Sequence, residues 1–355
     1  MSQDTEVRFD GQEFQIGIDK HRSSWVVTIR SSGLELKTLS MSADAKALYA
    51  YMSRQYPGGV YYSAYEAGFS GFGAHRELQS LGINNKVVHP ADVPSMEKDR
   101  RYKSDQGDSR RLSKGLENRT LEGIYVPDAA SEQLRGVVRM RQSLSRDQTR
   151  LKNRIKSLLY IEGLGSVIQQ YGSSWSSRFM EQLGRQQLAE ASSRTLQTWL
   201  EQLLQNRRAQ HQTLRWLREY VKQRPSMARD IELLQSVPGL GFVGSITFYG
   251  ELMGIERFKR YEHLCAYVGL RPTSRGSGER QRAAELTPRC NNRMRRILIE
   301  ASWVAVRTDP AMLAAYKRYC VRMKPQMAII RIARKLLRRI RMVLLQQQPY
   351  QKSVA

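Results

Sequence analysis

A chain of 355 residues is too long for one ordinary core and implies two or three units. Its 41% hydrophobic content excludes an extended disordered polymer. Lys and Arg number 58 against 33 Asp and Glu, a formal net charge of +25, and a folded body that basic repels itself unless a polyanion neutralises it. Nucleic acid is therefore the expected partner. No lipidation signal or amphipathic anchor favours a membrane surface, and no run approaches the roughly 20 apolar residues of a spanning helix. The opening MSQDTEVRFDGQEF is polar and acidic, unlike a secretory leader. Cys265, Cys290 and Cys320 are scattered and odd in number, which fits neither a disulfide framework nor a CxxC zinc site. The expected location is a reducing cytoplasm, beside the nucleoid.

From about Phe14 to Pro127 the pattern mixes strands and helices. Phe14 to Ile18 alternates, Trp25 to Ile29 is rich in β-formers, and Ser31-Ser32-Gly33 turns the chain into a third alternating segment, Leu34 to Leu39. Ser42-Ala43-Asp44 opens a helix with Ala47, Leu48, Tyr51 and Met52 on one face. Val60 to Tyr65 is strand, Gly71 to Leu81 helix, and Lys86 to Val88 strand. Three adjacent strands followed by alternation with helices is the ribonuclease-H-like order, not the strict βαβ alternation of a nucleotide-binding sheet. The expected fold is α/β plus all-α. Residues 1–127 are expected to form a ribonuclease-H-like domain, 128–234 a helical or coiled-coil region, and 235–355 a basic helical domain.

Four carboxylates fall where a metal-dependent nuclease needs them. Asp19 closes the first strand, Glu66 closes the fourth, and Asp105 and Asp108 stand three apart, sharing a face if their segment is helical. Phosphodiester cleavage calls for a positioned nucleophile and a stabilised leaving oxygen, and Mg²⁺ takes hard oxygen ligands. In a ribonuclease-H-like sheet the first and fourth strands are neighbours, so Asp19 and Glu66 can converge. Lys103, Arg110 and Arg111 flank the cluster and are expected at DNA phosphates. Each acid taken singly also fits a turn, a cap or a strand end.

In the middle region Leu134, Val137, Val138 and Leu144, then Leu151, Ile155, Leu158 and Leu159, recur at helical spacing. Leu196, Leu200, Leu203, Leu204, Leu214, Leu217 and Val221 repeat the pattern between Arg194 and Val221. A helical hairpin or coiled coil, serving spacing or oligomerisation, and packing within one chain both fit. Beyond it, Val237-Pro238-Gly239-Leu240-Gly241 precedes an apolar helix. Gly239 and Gly241 either aim backbone N–H groups at a phosphate, as a helix-hairpin-helix does, or form an ordinary turn. The Gly276-Ser277-Gly278 loop carries Arg280 and Arg282 close by, and a serine hydroxyl there would attack phosphate with guanidiniums stabilising the developing charge. A flexible connector is the alternative for that loop. The last helix, roughly 327 to 345, bears Arg331, Arg334, Lys335, Arg338, Arg339 and Arg341.

Taken together, Ile16-Gly17-Ile18-Asp19, Tyr65-Glu66-Ala67-Gly68, the Lys103 to Leu112 segment, Val237 to Gly241, and Tyr267 to Pro272 leading into Gly276 to Gln281 resemble the IS110 family of bacterial insertion-sequence transposases. The pieces stand in family order across nearly the whole chain. The resemblance implies a RuvC-like DEDD domain with Asp19, Glu66, Asp105 and Asp108 as Mg²⁺ ligands, and Ser277 as a serine nucleophile. It further implies excision and insertion of the element by DNA cleavage and rejoining, and target choice guided by a non-coding bridge RNA. A dimer or tetramer is implied too, in which one copy's acidic domain meets another's serine domain. Cys290 before Asn291 and Asn292, Pro288, and the Ala283-Ala284 pair depart from the family's usual glycine and lysine positions. Two other readings stay open on the residues alone: a RuvC-type structure-specific nuclease, and a non-enzymatic basic scaffold for nucleic acid.

Overall fold

The computed structural model describes residues 7–94, 104–171, 174–273, 285–286 and 289–352, which form two compact units, Met1–Val126 and Pro127–Ala355. In the first, β1 (Glu13–Lys20), β2 (Ser24–Ser31) and β3 (Leu34–Ser42) form an antiparallel meander. Helix α1 (Ala45–Gln55) follows, with Asp44 capping it by accepting the Lys46 N–H at 2.8 Å. Strand β4 (Val60–Glu66), helix α2 (Gly73–Ser80) and strand β5 (Asn84–Val88) then add two parallel strands beyond β1. The sheet order β3-β2-β1-β4-β5 puts β1 at the centre, between the meander and the crossover strands. This is the ribonuclease-H-like arrangement that the strand order in the sequence implies.

The two faces of the sheet are covered differently, and the alternation along β1 decides how. Phe14, Ile16 and Ile18 point to one face and join a core with Leu48, Met52, Tyr65 and Leu78 from α1, β4 and α2. Gly17 and Asp19 point to the other, where helix α3 (Asp105–Glu117) lies. On that side Ala64, Val88, Leu112, Leu116 and Leu121 form a smaller core. At Gly17 the helix comes so close that a Cβ would land on the Ser109 carbonyl and against the Ser113 N–H. Thr28, paired with Gly17 across the ladder, hydrogen-bonds the buried Ser109 hydroxyl at 2.8 Å.

The far end of α3 is tied down separately. Arg30 Nε donates to Glu117 Oε2 at 2.8 Å, and the Gly33 N–H donates to the other Glu117 oxygen at 2.7 Å. Burial raises the Glu117 pKa, but the Arg30 and Gly33 hydrogen bonds with the Arg30 charge outweigh it and hold the carboxyl below its usual range.

Among the described residues the second unit's regular structure is helical apart from a short ribbon, β6 (Pro272–Thr273) with β7 (Glu285–Leu286). Two 33-residue helices, α4 (Ala129–Ile161) and α7 (Glu190–Lys222), lie antiparallel: Leu134 and Val138 meet Leu217 and Val221, while Leu151, Ile155 and Leu159 meet Leu196, Leu200 and Leu203. The apolar stripes legible in the sequence thus face each other within the chain. Short helices α5 (Gly165–Tyr171) and α6 (Ser177–Gly184) close the hairpin's far end around Trp175 and Phe179. After α8 (Pro225–Gln235), helices α9 (Phe242–Leu252), α10 (Tyr261–Val268), α11 (Asn292–Thr308), α12 (Pro310–Cys320) and α13 (Pro325–Gln346) pack around a core including Phe248, Leu298, Leu336 and Ile340. Of the basic residues of α13, Arg331, Lys335 and Arg338 are exposed, whereas Arg339 reaches inward to the buried Asp309 at 2.7 Å. Among the described residues no helix is long and apolar enough to cross a membrane.

Replacing Gly17 with alanine forces α3 off the sheet. Loss of stability by about 1–3 kcal/mol is expected, read as a lower urea midpoint of the intact chain. An unchanged midpoint would contradict the packing described here.

Candidate active site

Asp19 sits one residue from the end of β1, and the parallel ladder to β4 pairs Ile18 with Tyr65. The next residues along the two strands are Asp19 and Glu66, both on the α3 side by alternation with Gly17 and Ala64. Helix α3 begins at the same place. Ser104 caps it by accepting the Gly107 N–H at 3.1 Å, and its first turn presents Asp105 and Asp108. Carboxylates in a first turn are favoured by the helix dipole, so this charge is stabilised locally even though its neighbours share its sign.

One oxygen each from Asp19 and Asp105, together with a ring nitrogen of His21, lie within 4.8 Å of one another. His21 Nε2 stands 3.3 Å from Asp19 Oδ2 and 3.2 Å from Asp105 Oδ2. Burial is the largest influence on Asp19 and pushes its carboxyl above the usual range; His21 draws it back, while Asp108 and Asp105 push it up further. Three acids therefore act on one another here. A divalent cation would relieve that repulsion, and hard carboxylate oxygens fit Mg²⁺. The imidazole is the less usual Mg²⁺ ligand, and its place between two carboxylates equally suits a residue that orients them.

The other expected residues are placed as follows. Asp108 is nearly buried and pairs with Arg111 one turn along the helix. Arg110 Nε donates to Glu35 Oε1 on β3 at 2.9 Å, so both arginines expected at DNA phosphates hold carboxylates in this structure. Lys103, Ser277, Arg280 and Arg282 lie outside the described residues, as do Ala283, Ala284 and Pro288. The residues to either side of the serine segment are described. The Asn291 N–H donates to the Tyr267 carbonyl at 2.7 Å, joining the end of α10 to the start of α11. Both residues are held by Glu251 of α9. Tyr267 Oη donates to the Glu251 carbonyl at 2.8 Å, and Asn291 Nδ2 donates to Glu251 Oε2 at 2.9 Å.

Glu251 is fully buried and also takes both forks of Arg139, from Nε at 2.7 Å and Nη2 at 2.8 Å. Burial opposes its charge, but Arg139, Asn291 and Arg293 overcome this and lower its pKa. The hairpin at Gly239 and Gly241 packs beside α11. Gly239 has φ +82°, and a Cβ there would stand 2.6 Å from Ala301 Cα. Sequence reading overlooked His21, Gly17 and Glu251. His21 could have been found by continuing the alternation Gly17, Asp19 one step further.

Comparison with known proteins bears on this site directly. Residues 16–161 match the model of the IS110-type DEDD transposases, described as "Transposase", and residues 231–317 match the model described as "Transposase IS116/IS110/IS902 family". Both stretches are similar to IS110-family transposases. Two Sinorhizobium fredii proteins named as transposases resemble it at 28% identity. The match to y4rJ covers 94% of this chain and 92% of that protein, and the match to y4qE covers 68% and 58%. The transposase for insertion sequence element IS1111A of Coxiella burnetii is 23% identical over 66% of this chain and 62% of its own length. The DEDD match begins at Ile16, three residues before Asp19, and contains all four acids.

Two outcomes follow. Millimolar Mg²⁺ or Mn²⁺ should raise the melting temperature, the stabilisation reaching about 1.4 kcal/mol at ten times Kd, and Asp19→Asn should abolish that rise. A cation effect unchanged in Asp19→Asn would remove these residues from the ligand set. Separately, Glu251→Gln should cost about 2–3 kcal/mol, since it strips a buried partner from Arg139. A carboxyl lowered by folding adds stability that is complete above about pH 4.3 and fades as pH falls through its folded value. The Glu251→Gln cost, measured by urea denaturation, should therefore shrink toward acid pH; a constant difference would contradict the assignment.

Proposed function

We propose that this chain is an IS110-family DNA transposase that excises and inserts an insertion sequence by cutting and rejoining phosphodiester bonds. The observation that carries the reading is the meeting of Asp19 and Asp105 with His21, with Asp108 acting on Asp19, at the end of the strand whose neighbour ends in Glu66. Asp19, Glu66, Asp105 and Asp108 would hold Mg²⁺, which supplies charge neutralisation at the scissile phosphate and a lowered barrier to departure of the sugar oxygen. His21 keeps Asp19 and Asp105 turned toward each other. Arg111 holds Asp108 and, as DNA enters, is available to exchange that partner for a phosphate oxygen, as Arg110 is to exchange Glu35.

Ser277 is the proposed nucleophile. Its Oγ attacks the phosphorus, a phosphoserine ester forms, and the displaced sugar oxygen takes up the proton; attack by a second strand end reverses these steps and rejoins the DNA. Arg280 and Arg282 would stabilise the charge that builds on the phosphoryl oxygens. The clamp of Glu251 on Tyr267 and Asn291 fixes both sides of that segment, which supports a working role for it. Bridge-RNA guidance, assembly as a dimer or tetramer, and action at the nucleoid are further parts of this proposal, supported by the resemblance to the family.

The test is a strand-exchange assay with element ends, target DNA and co-purified RNA. Asp19→Asn should abolish cleavage in Mg²⁺, and Ser277→Ala should abolish joining and the covalent protein–DNA adduct. Cleavage that survives in Ser277→Ala with no adduct in the parent would make the chain a RuvC-type nuclease. Cation-independent binding with no cleavage in the parent would leave only a scaffold.

A further inference from the structure

A groove of about 1050 Å³ in the second unit is one that neither the acidic cluster nor the serine segment accounts for. One wall is α4 with Arg141, Arg146 and Arg150; the other is α11 with Arg293, Arg295 and Arg296. The hairpin glycines Gly239 and Gly241 lie between them, and nothing stands within 4 Å of where a Gly241 Cβ would be. Gly241 also begins α9 with no side-chain cap on the helix amino terminus. Among the described residues Glu300 is the one acidic residue on the lining.

The charges are not balanced from within. Arg150 has Asp147 at 2.9 Å and Arg296 has Glu300 at 3.8 Å, both on the surface where such pairs are weak. Arg293 donates to Gln142 at 2.7 Å and lies 3.7 Å from Glu251, whose closer partner is Arg139. Burial lowers the Arg293 pKa and Glu251 draws it back up, while Arg139, Arg146 and Arg135 lower it, so Arg146 on the opposite wall repels Arg293. The Arg141 Nε is buried with no hydrogen-bond partner among the described residues. A donor in that position costs stability unless an acceptor arrives.

We propose that this groove binds the phosphodiester backbone of one DNA strand and lays it beside the base of the segment that carries Ser277. Arg141 to Arg150 spans about 14 Å of helix, the rise of about four phosphates along one strand. Arginines on both sides neutralise a single line of phosphates, and the open backbone at Gly241 adds N–H donors at a helix start. Asn292, adjoining the Asn291–Tyr267 link, lies on the lining, so a strand in the groove passes the foot of the serine segment. Given a family that acts on DNA, DNA rather than RNA is the assigned occupant. This inference rests on the transposase reading for the identity of the strand, but not on its metal or serine chemistry.

The test measures binding alone, in EDTA, so that it stands apart from catalysis. The full chain binds a labelled DNA duplex of mixed sequence, and affinity is followed from low to moderate salt. Replacing the groove residues Arg146, Arg150 and Arg296 together with glutamine should reduce the slope of log affinity against log salt by roughly 2.7, and Arg146→Gln alone by about 0.9. Affinity at fixed salt should fall by about tenfold or more. The exposed arginines Arg185, Arg194 and Arg208, changed together to glutamine, carry the same loss of charge outside the groove and should leave the slope nearly unchanged. Equal effects of the two triple variants, or no change in slope, would overturn the proposal. A loss confined to an RNA of the same sequence would also overturn it and assign the groove to RNA.

Discussion

The whole acidic site depends on how closely one helix can approach one strand. Helix α3 brings Asp105 and Asp108 to Asp19 only because residue 17, two positions earlier on the same face, has no side chain. The approach is held by the Thr28–Ser109 hydrogen bond near Gly17 and by Arg30 and Glu117 at the helix's other end. Carboxylates that repel one another are thus fixed together by contacts that do not involve them. Packing and hydrogen bonds elsewhere supply the free energy that keeps the like charges close.

The second unit solves a related problem with opposite charge. Glu251 is buried at the point where α4, α9, α10 and α11 converge; its carboxylate gathers Arg139 and Asn291, and its main-chain carbonyl takes the Tyr267 hydroxyl. It fixes the two flanks of the serine segment and sits close to Arg293 on the groove wall. One buried acid therefore organises a strongly cationic region, leaving the outer arginines for an anionic partner.

Much of this was legible in the sequence, and what was missed has physical reasons. Strand alternation in Phe14–Ile18 and Val60–Tyr65, and the three-strand start, specified the sheet order because core burial on one face fixes register. The α4 and α7 stripes were equally clear, though periodicity alone does not say whether a stripe packs within its own chain; the facing of Leu134 with Leu217 required coordinates. Gly17 was quoted as part of a motif without its role, since the need for a missing side chain is a property of the helix that arrives 90 residues later. His21 continues the alternation of Gly17 and Asp19 just past the end of β1, but its place beside Asp105 depends on where α3 begins. Glu251 is a lone acid in an apolar helix, and its partners come from three distant segments. Charge alone points Arg110 and Arg111 at phosphates, whereas in the structure Glu35 and Asp108 take them up.

The claim on which the account turns is that the end of β1 and the start of α3 form one cation site. Crystals grown with Mn²⁺ and examined by anomalous scattering test it most directly. The account predicts a peak about 2.1 Å from carboxylate oxygens of both Asp19 and Asp105. Mn²⁺ bound elsewhere on the chain, with those two side chains making no contact to it, would contradict it.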